Sequence, residues 1–92
     1  MSAEKLRNIG PTSSRELREI GVETREDLAD FGIEEVTRRL LFRFGSEKKI
    51  SVNYLYALEG AMHDQDWRDI SPALKEKLPL MLEQVRAELS SK

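Results

Sequence analysis

Apolar residues recur at helical spacing along nearly the whole chain. Leu17 and Ile20 make one stripe, Leu28 and Phe31 a second, and Val36, Leu40, Leu41 and Phe44 a third. Val52, Leu55, Tyr56, Leu58 and Met62 follow, and Leu74, Leu78, Met81, Val85 and Leu89 form the last. Residues three and four apart share one face of an α-helix, so each stripe predicts an amphipathic helix with one buried side. No stretch of useful length alternates apolar and polar residues as a half-buried strand does. The pattern predicts an all-α fold of five to six short helices, a compact single domain over residues 1–92 with its core between about 4 and 89.

The boundaries between stripes are marked by an apolar residue followed by glycine. Ile9-Gly10, Ile20-Gly21 and Phe31-Gly32 are eleven residues apart, and Phe44-Gly45 comes next. Glycine accepts the left-handed conformation that ends a helix, and the adjoining apolar residue packs back on the last turn. The period stops at Gly45, which makes these pairs punctuation between helices and not a solenoid repeat. Start signals agree. Ser13-Ser14-Arg15-Glu16 has the form of a capping box, and Thr24-Arg25-Glu26-Asp27 is a weaker version with acids in the first turn. Ser51 is placed to cap a helix from Val52, and Ser71-Pro72 joins a cap to a proline at the first helical position. Pro79 is expected to kink or split the last helix, because it has no N–H and crowds the preceding turn.

Candidate chemistry concentrates near the N-terminus. Leu6-Arg7-Asn8-Ile9-Gly10-Pro11 runs through a tight turn, and a helix restarts at Thr12 or Ser13. That order of parts resembles a helix-hairpin-helix, a unit that turns free backbone N–H groups toward a phosphate. Gly10, Thr12, Ser13 and Ser14 are the candidate backbone contacts to DNA, with Arg7 or Arg15 adding charge. Such contacts position a duplex without reading its sequence. Against them, Gly-Pro-Thr stands where nucleic-acid hairpins carry Gly-x-Gly, and Pro11 removes one donor. The alternative is a structural turn satisfied by its own Ser13 cap. A basic cluster of Arg38, Arg39, Arg43, Lys48 and Lys49, opposed in its own stretch by Glu47, is a second candidate DNA surface continuous with the hairpin. Its alternatives are a solvated helix face or a protein contact.

Composition narrows the classes further. With 92 residues, 39% hydrophobic and 35% charged, the chain suits one folded domain. Ten acidic and ten basic groups in residues 1–49, against seven and five in 50–92, leave a net charge of −2. A whole-surface affinity for DNA is not expected from that balance. The absence of cysteine excludes disulfides and thiolate chemistry and fits a cytoplasmic location. No apolar run approaches the roughly 20 residues a bilayer requires, so no membrane is expected. His63 is the one histidine, and its spacing to Asp64, Asp66 and Asp69 matches no metal-ligand pattern. No cofactor is implied, and no nucleophile–base pair stands out, which makes an enzyme an unexpected reading. Tyr54, Tyr56, Met62 and Trp67 could form an aromatic surface, but Tyr56 and Trp67 are expected in the core. Glu59, on an otherwise apolar helix, is expected to pair with Arg68.

Two stretches carry a family resemblance. Leu6-Arg7-Asn8-Ile9-Gly10-Pro11 with Leu17, Ile20-Gly21-Val22 and Asp27-Leu28 is one. Asn53-Tyr54-Leu55-Tyr56-Ala57-Leu58-Glu59-Gly60-Ala61 followed by Trp67-Arg68 is the other. Together, from Leu6 to about Leu82, they resemble the C-terminal domain of TfoX/Sxy-type competence regulators. The resemblance implies an all-helical domain of helix-hairpin-helix character and a non-enzymatic, regulatory role in transcription linked to DNA uptake. DNA, a transcription factor or RNA polymerase are the partners implied; the oligomeric state is not readable. Residues 1–5 leave no room for the additional N-terminal domain typical of these regulators, which fits a free-standing relative or a fragment. Asn8-Ile9-Gly10 with Ser13 and Glu16 also resembles, over a shorter stretch, the hairpin of the RNA polymerase α C-terminal domain. A pure protein-interaction adaptor with an architectural hairpin is the alternative from a different class.

Overall fold

The computed structural model describes residues 6, 8–46 and 50–90. Among them the chain forms five α-helices and no strand: α1 (Pro11–Glu19), α2 (Arg25–Phe31), α3 (Ile33–Phe44), α4 (Val52–Met62) and α5 (Pro72–Ser90). One turn of 3-10 helix at Trp67–Asp69 precedes α5. α4 sits at the centre, touching α2, α3 and α5, while α3 lies along α5. The radius of gyration of 12.5 Å is close to the roughly 12 Å of a compact chain this long.

The predicted stripes supply the core. Leu17, Leu28, Val36, Leu40, Leu55, Leu58 and Val85 are essentially without solvent contact. Five residues outside the helices complete it: Leu6, Ile20, Val22, Ile50 and Ile70 are also buried. Each anchors a connection. After α1, Gly21 takes φ +96°, its N–H donates to the Arg18 carbonyl, and the Val22 N–H donates to the Leu17 carbonyl. This is a Schellman ending, closed by Val22 packing on the turn it leaves. α4 ends in the same manner without glycine: Asp64 takes φ +54°, and the Gln65 N–H donates to the Gly60 carbonyl at 2.7 Å. Of the four punctuating glycines only Gly21 and Gly32 are left-handed; Gly45 is helical and Gly10 begins a helix instead of ending one.

Two expectations about starts and breaks are corrected. The capping box at Ser13 does not form. α1 begins at Pro11 with Gly10 as its N-cap, because proline at the first position presets φ and lacks an N–H that needs a partner. The weaker box is the one that forms. The Asp27 N–H donates to the Thr24 hydroxyl at 3.1 Å, and the Thr24 and Glu23 N–H groups donate to the Asp27 carboxylate at 3.2 and 3.0 Å. Those donors, Glu23 first, hold Asp27 below the usual carboxylate range. Ser51 caps α4 in position but makes no side-chain bond, whereas Ser71 accepts from the Leu74 N–H at 3.4 Å.

Pro79 does not split α5, which is continuous over Pro72–Ser90. Proline at position 79 leaves the Lys75 carbonyl, four residues earlier, without its helical donor. The Tyr56 hydroxyl from α4 donates to that carbonyl at 3.0 Å. A side chain of the neighbouring helix thus replaces the missing backbone bond.

Candidate functional site

The hairpin is held from below by Asn8. Asn8 takes φ +69°, and its Nδ2 donates to the Gln65 carbonyl at 2.8 Å, tying the turn to the end of α4. The approach is close because Gly60 has no side chain: a Cβ there would lie 2.5 Å from Asn8 Nδ2, 2.7 Å from the Gln65 oxygen and 3.3 Å from the Trp67 nitrogen. Above this seat Gly10, Pro11, Thr12 and Arg15 are exposed, with Ser13 and Ser14 half-buried. α1 starts without a side-chain cap and without an acid in its first turn, whereas α2 and α3 both carry acids there. The Thr12 and Ser13 N–H groups lie in that first turn, where a helix offers no internal acceptor. One turn further on, α1 is pinned by Glu16, which is buried and accepts from the Tyr54 hydroxyl at 3.0 Å. Burial holds the Tyr54 phenol well above its ordinary value, and the Glu16 carboxylate adds to this while Ser13 works in the opposite sense. Arg7 lies outside the described residues.

The arginines of α3 sit elsewhere and are not alone. Arg38 donates through Nε to Glu88 at 2.6 Å, through Nη1 to Glu35 at 2.7 Å and through Nη2 to Glu34 at 3.1 Å, clamping α3 to α5. Arg39 donates to Glu35 at 2.9 Å and to the Ile20 carbonyl at 3.2 Å, and its guanidinium lies 4.2 Å over the Phe31 ring. Arg43 pairs with Glu19 at 3.1 Å and covers Phe44 at 4.8 Å. The guanidiniums of Arg39 and Arg38, Arg39 first, keep the Glu35 carboxyl below its usual value. The three arginines therefore face Glu19, Glu34, Glu35 and Glu88; Glu47, Lys48 and Lys49 of the same stretch lie outside the described residues. The arginines also gather at the far end of α1, a nine-residue helix about 13 Å long, away from the hairpin.

Two further expectations change. Trp67 is 44% exposed and not a core residue, because the 3-10 turn that carries it packs on α4 through its backbone. Glu59 does not meet Arg68. Its carboxylate is 3.0 Å from His63 Nε2 one turn later, while Arg68 reaches back to Asp66 at 3.0 Å. The i,i+4 spacing along α4 brings Glu59 and His63 together before the loop can offer an alternative. Among the described residues no three His, Cys, Asp or Glu side chains converge as metal ligands, and no helix is long and apolar enough to cross a membrane.

Comparison with known proteins decides the family. The model of the TfoX C-terminal domain matches residues 2–82. This chain belongs to that family. The TfoX C-terminal domain described here is also similar to two solved structures from Listeria monocytogenes. One is a triclinic crystal form of an uncharacterized protein, 27% identical, covering 94% of each chain with a TM-score of 0.77. The other is a tetragonal form of a protein of unknown function, 28% identical, covering 88% of this chain and 96% of that one with a TM-score of 0.75. No curated protein matches at a significant level.

Reasoning from the sequence passed over Phe42, which is 83% exposed on α3 of this TfoX C-terminal domain. The signal was present. Val36, Leu40 and Phe44 mark the buried face at intervals of four, and Phe42 falls midway between two of them, on the side the pattern reserves for polar groups.

Proposed function

We propose that this domain is a non-enzymatic regulatory module of transcription that acts in the cytoplasm by contact, docking on a transcription factor or RNA polymerase. The observation that carries the reading is the state of the α3 arginines: Arg38, Arg39 and Arg43 each donate to at least one carboxylate. A face whose cations are matched locally gains little from replacing a phosphate's counterions, the main source of affinity for a duplex. Family membership supports the regulatory setting, and the absence of a convergent catalytic constellation in the sequence supports a role without chemistry.

A second reading keeps DNA at the hairpin, and one observation favours it. The start of α1 is exposed, lacks a side-chain cap and has no acid in its first turn, which leaves the Thr12 and Ser13 N–H groups suited to one or two phosphates. Arg15, with Arg7, would add charge. Ser14 is already committed through its N–H to the Gly10 carbonyl at 2.9 Å and serves the turn.

The test is affinity capture on the immobilised full chain from native lysate, with and without nuclease. Recovery of RNA polymerase or one transcription factor that survives nuclease is the expected result. Loss of all recovered protein on nuclease treatment would overturn the protein-docking reading in favour of DNA.

A further inference from the structure

Phe42 is the most exposed large apolar side chain of the described residues, ahead of Leu80 at 61% and Trp67 at 44%. A lone exposed apolar residue needs no explanation. Phe42, however, stands at the rim of an open groove of about 440 Å³ between the end of α1, α3 and the end of α5. Ile20 and Leu89 are the other apolar residues that line the groove, and Arg39 and Arg43 line it beside them. Beyond Leu89 a second hollow of about 530 Å³ continues along Leu41.

We propose that this face is a two-fold contact between two copies of the chain, with Phe42 of each copy seated in the groove of the other. A two-fold interface requires a patch that complements itself. This one has both halves, a projecting ring and, beside it, an apolar hollow. Its charges have the same property. Arg38, Arg39 and Arg43 are interleaved with Glu19, Glu34, Glu35 and Glu88, so the face has no large excess of either sign. A strongly acidic partner would meet the glutamates and a basic one the arginines. A second copy carries the same mixed pattern and so avoids the uniform like-charge contact that a strongly acidic or strongly basic partner would make with part of this face.

The size of the face sets the strength. α3 has twelve residues and is about 18 Å long, so a contact one helix long falls at the small end of specific interfaces, below about 1,200 Å² in total. Association is therefore weak, dependent on concentration and centred on the aromatic ring, as contacts with a few dominant residues are. The inference does not rest on the proposed partner, since the hairpin lies at the other end of α1 and stays accessible in such a dimer.

Sedimentation equilibrium of the full chain, from about 10 μM to about 1 mM, tests it. The expected result is an apparent mass that rises from 10.6 kDa toward twice that value. Phe42→Ser should remain monomeric across the range, and Leu80→Ser, exposed on α5, should associate as the parent does. Unchanged circular dichroism of Phe42→Ser keeps the comparison fair. On dilution, amide chemical-shift changes should fall on Ile20, α3 and Leu89. A parent monomeric at every concentration, association that survives Phe42→Ser, or shift changes centred on the hairpin or Trp67 would each overturn the proposal.

Discussion

Gly60→Ala sets two physical effects against each other. Gly60 lies inside α4, and in a helix interior alanine is favoured over glycine by about 1 kcal/mol. Propensity alone therefore predicts a more stable protein. The packing predicts the reverse. The added methyl carbon would sit 2.5 Å from Asn8 Nδ2 and 2.7 Å from the Gln65 carbonyl oxygen. Asn8 can swing away only by breaking its 2.8 Å bond to that carbonyl. The Gln65 backbone is itself held, since its N–H closes the α4 terminus on the Gly60 carbonyl at 2.7 Å. Overpacking of this kind costs about 1–3 kcal/mol, and the lost hydrogen bond adds roughly 1 kcal/mol. After subtracting the helix gain, the net is a loss of about 1–3 kcal/mol, or a melting point lower by roughly 5–20 °C for a domain this small. Thermal melts followed by circular dichroism read the global loss. Fluorescence reports the local one, because Trp67 is the single tryptophan and its backbone nitrogen is 3.3 Å from the new carbon. Asn8→Gly tolerates the positive φ and removes the nearer clash, so Gly60→Ala should cost less in that background. A Gly60→Ala protein as stable as the parent, or more so, would refute the reasoning.

Tyr56→Phe should cost about 0.5–1 kcal/mol in urea unfolding, by leaving the Lys75 carbonyl without the hydroxyl that replaces the Pro79 N–H. In a Pro79→Ala background, where the helix supplies its own donor, the same change should cost close to nothing; equal costs in both backgrounds would show that the bond has no compensating role. Asp27 and Glu35 both titrate below their ordinary values in the folded state. The stability they contribute is fully present above the unfolded value of about 4 and is lost as pH falls through the lowered folded values. Urea midpoints between about pH 6 and about pH 3 should decline less steeply in Asp27→Asn with Glu35→Gln than in the parent; parallel declines would contradict the assignment.

The helices were legible because each buries one stripe, and a stripe repeats at the helical period. What escaped lay between the helices. Val22, Ile50 and Ile70 are single apolar residues in connecting segments, where no period exists to mark them as core. The Asp64 terminus escaped because left-handed backbone is read from glycine, and here a short polar side chain takes it. Glu16 was legible as polar but not as a partner of Tyr54, which lies 38 positions along the chain. The partners of the α3 arginines escaped for a related reason. Charge counted along a segment sees Glu47, whereas the fold brings Glu19 and Glu88 from α1 and α5. Opposite-sign neighbours contributed by other elements are invisible to local counting, and they change what a basic cluster can bind.

Duplex binding by this TfoX C-terminal domain, measured by fluorescence anisotropy as salt rises from about 20 mM to about 200 mM, tests the contact-module account most directly. If the α3 arginines are matched within the fold and only the start of α1 meets phosphate, the log–log slope should be no steeper than about −2, and Arg39→Glu with Arg43→Glu should leave it unchanged. A slope of about −4 or steeper that flattens in that double variant would contradict the account and return the cluster to DNA.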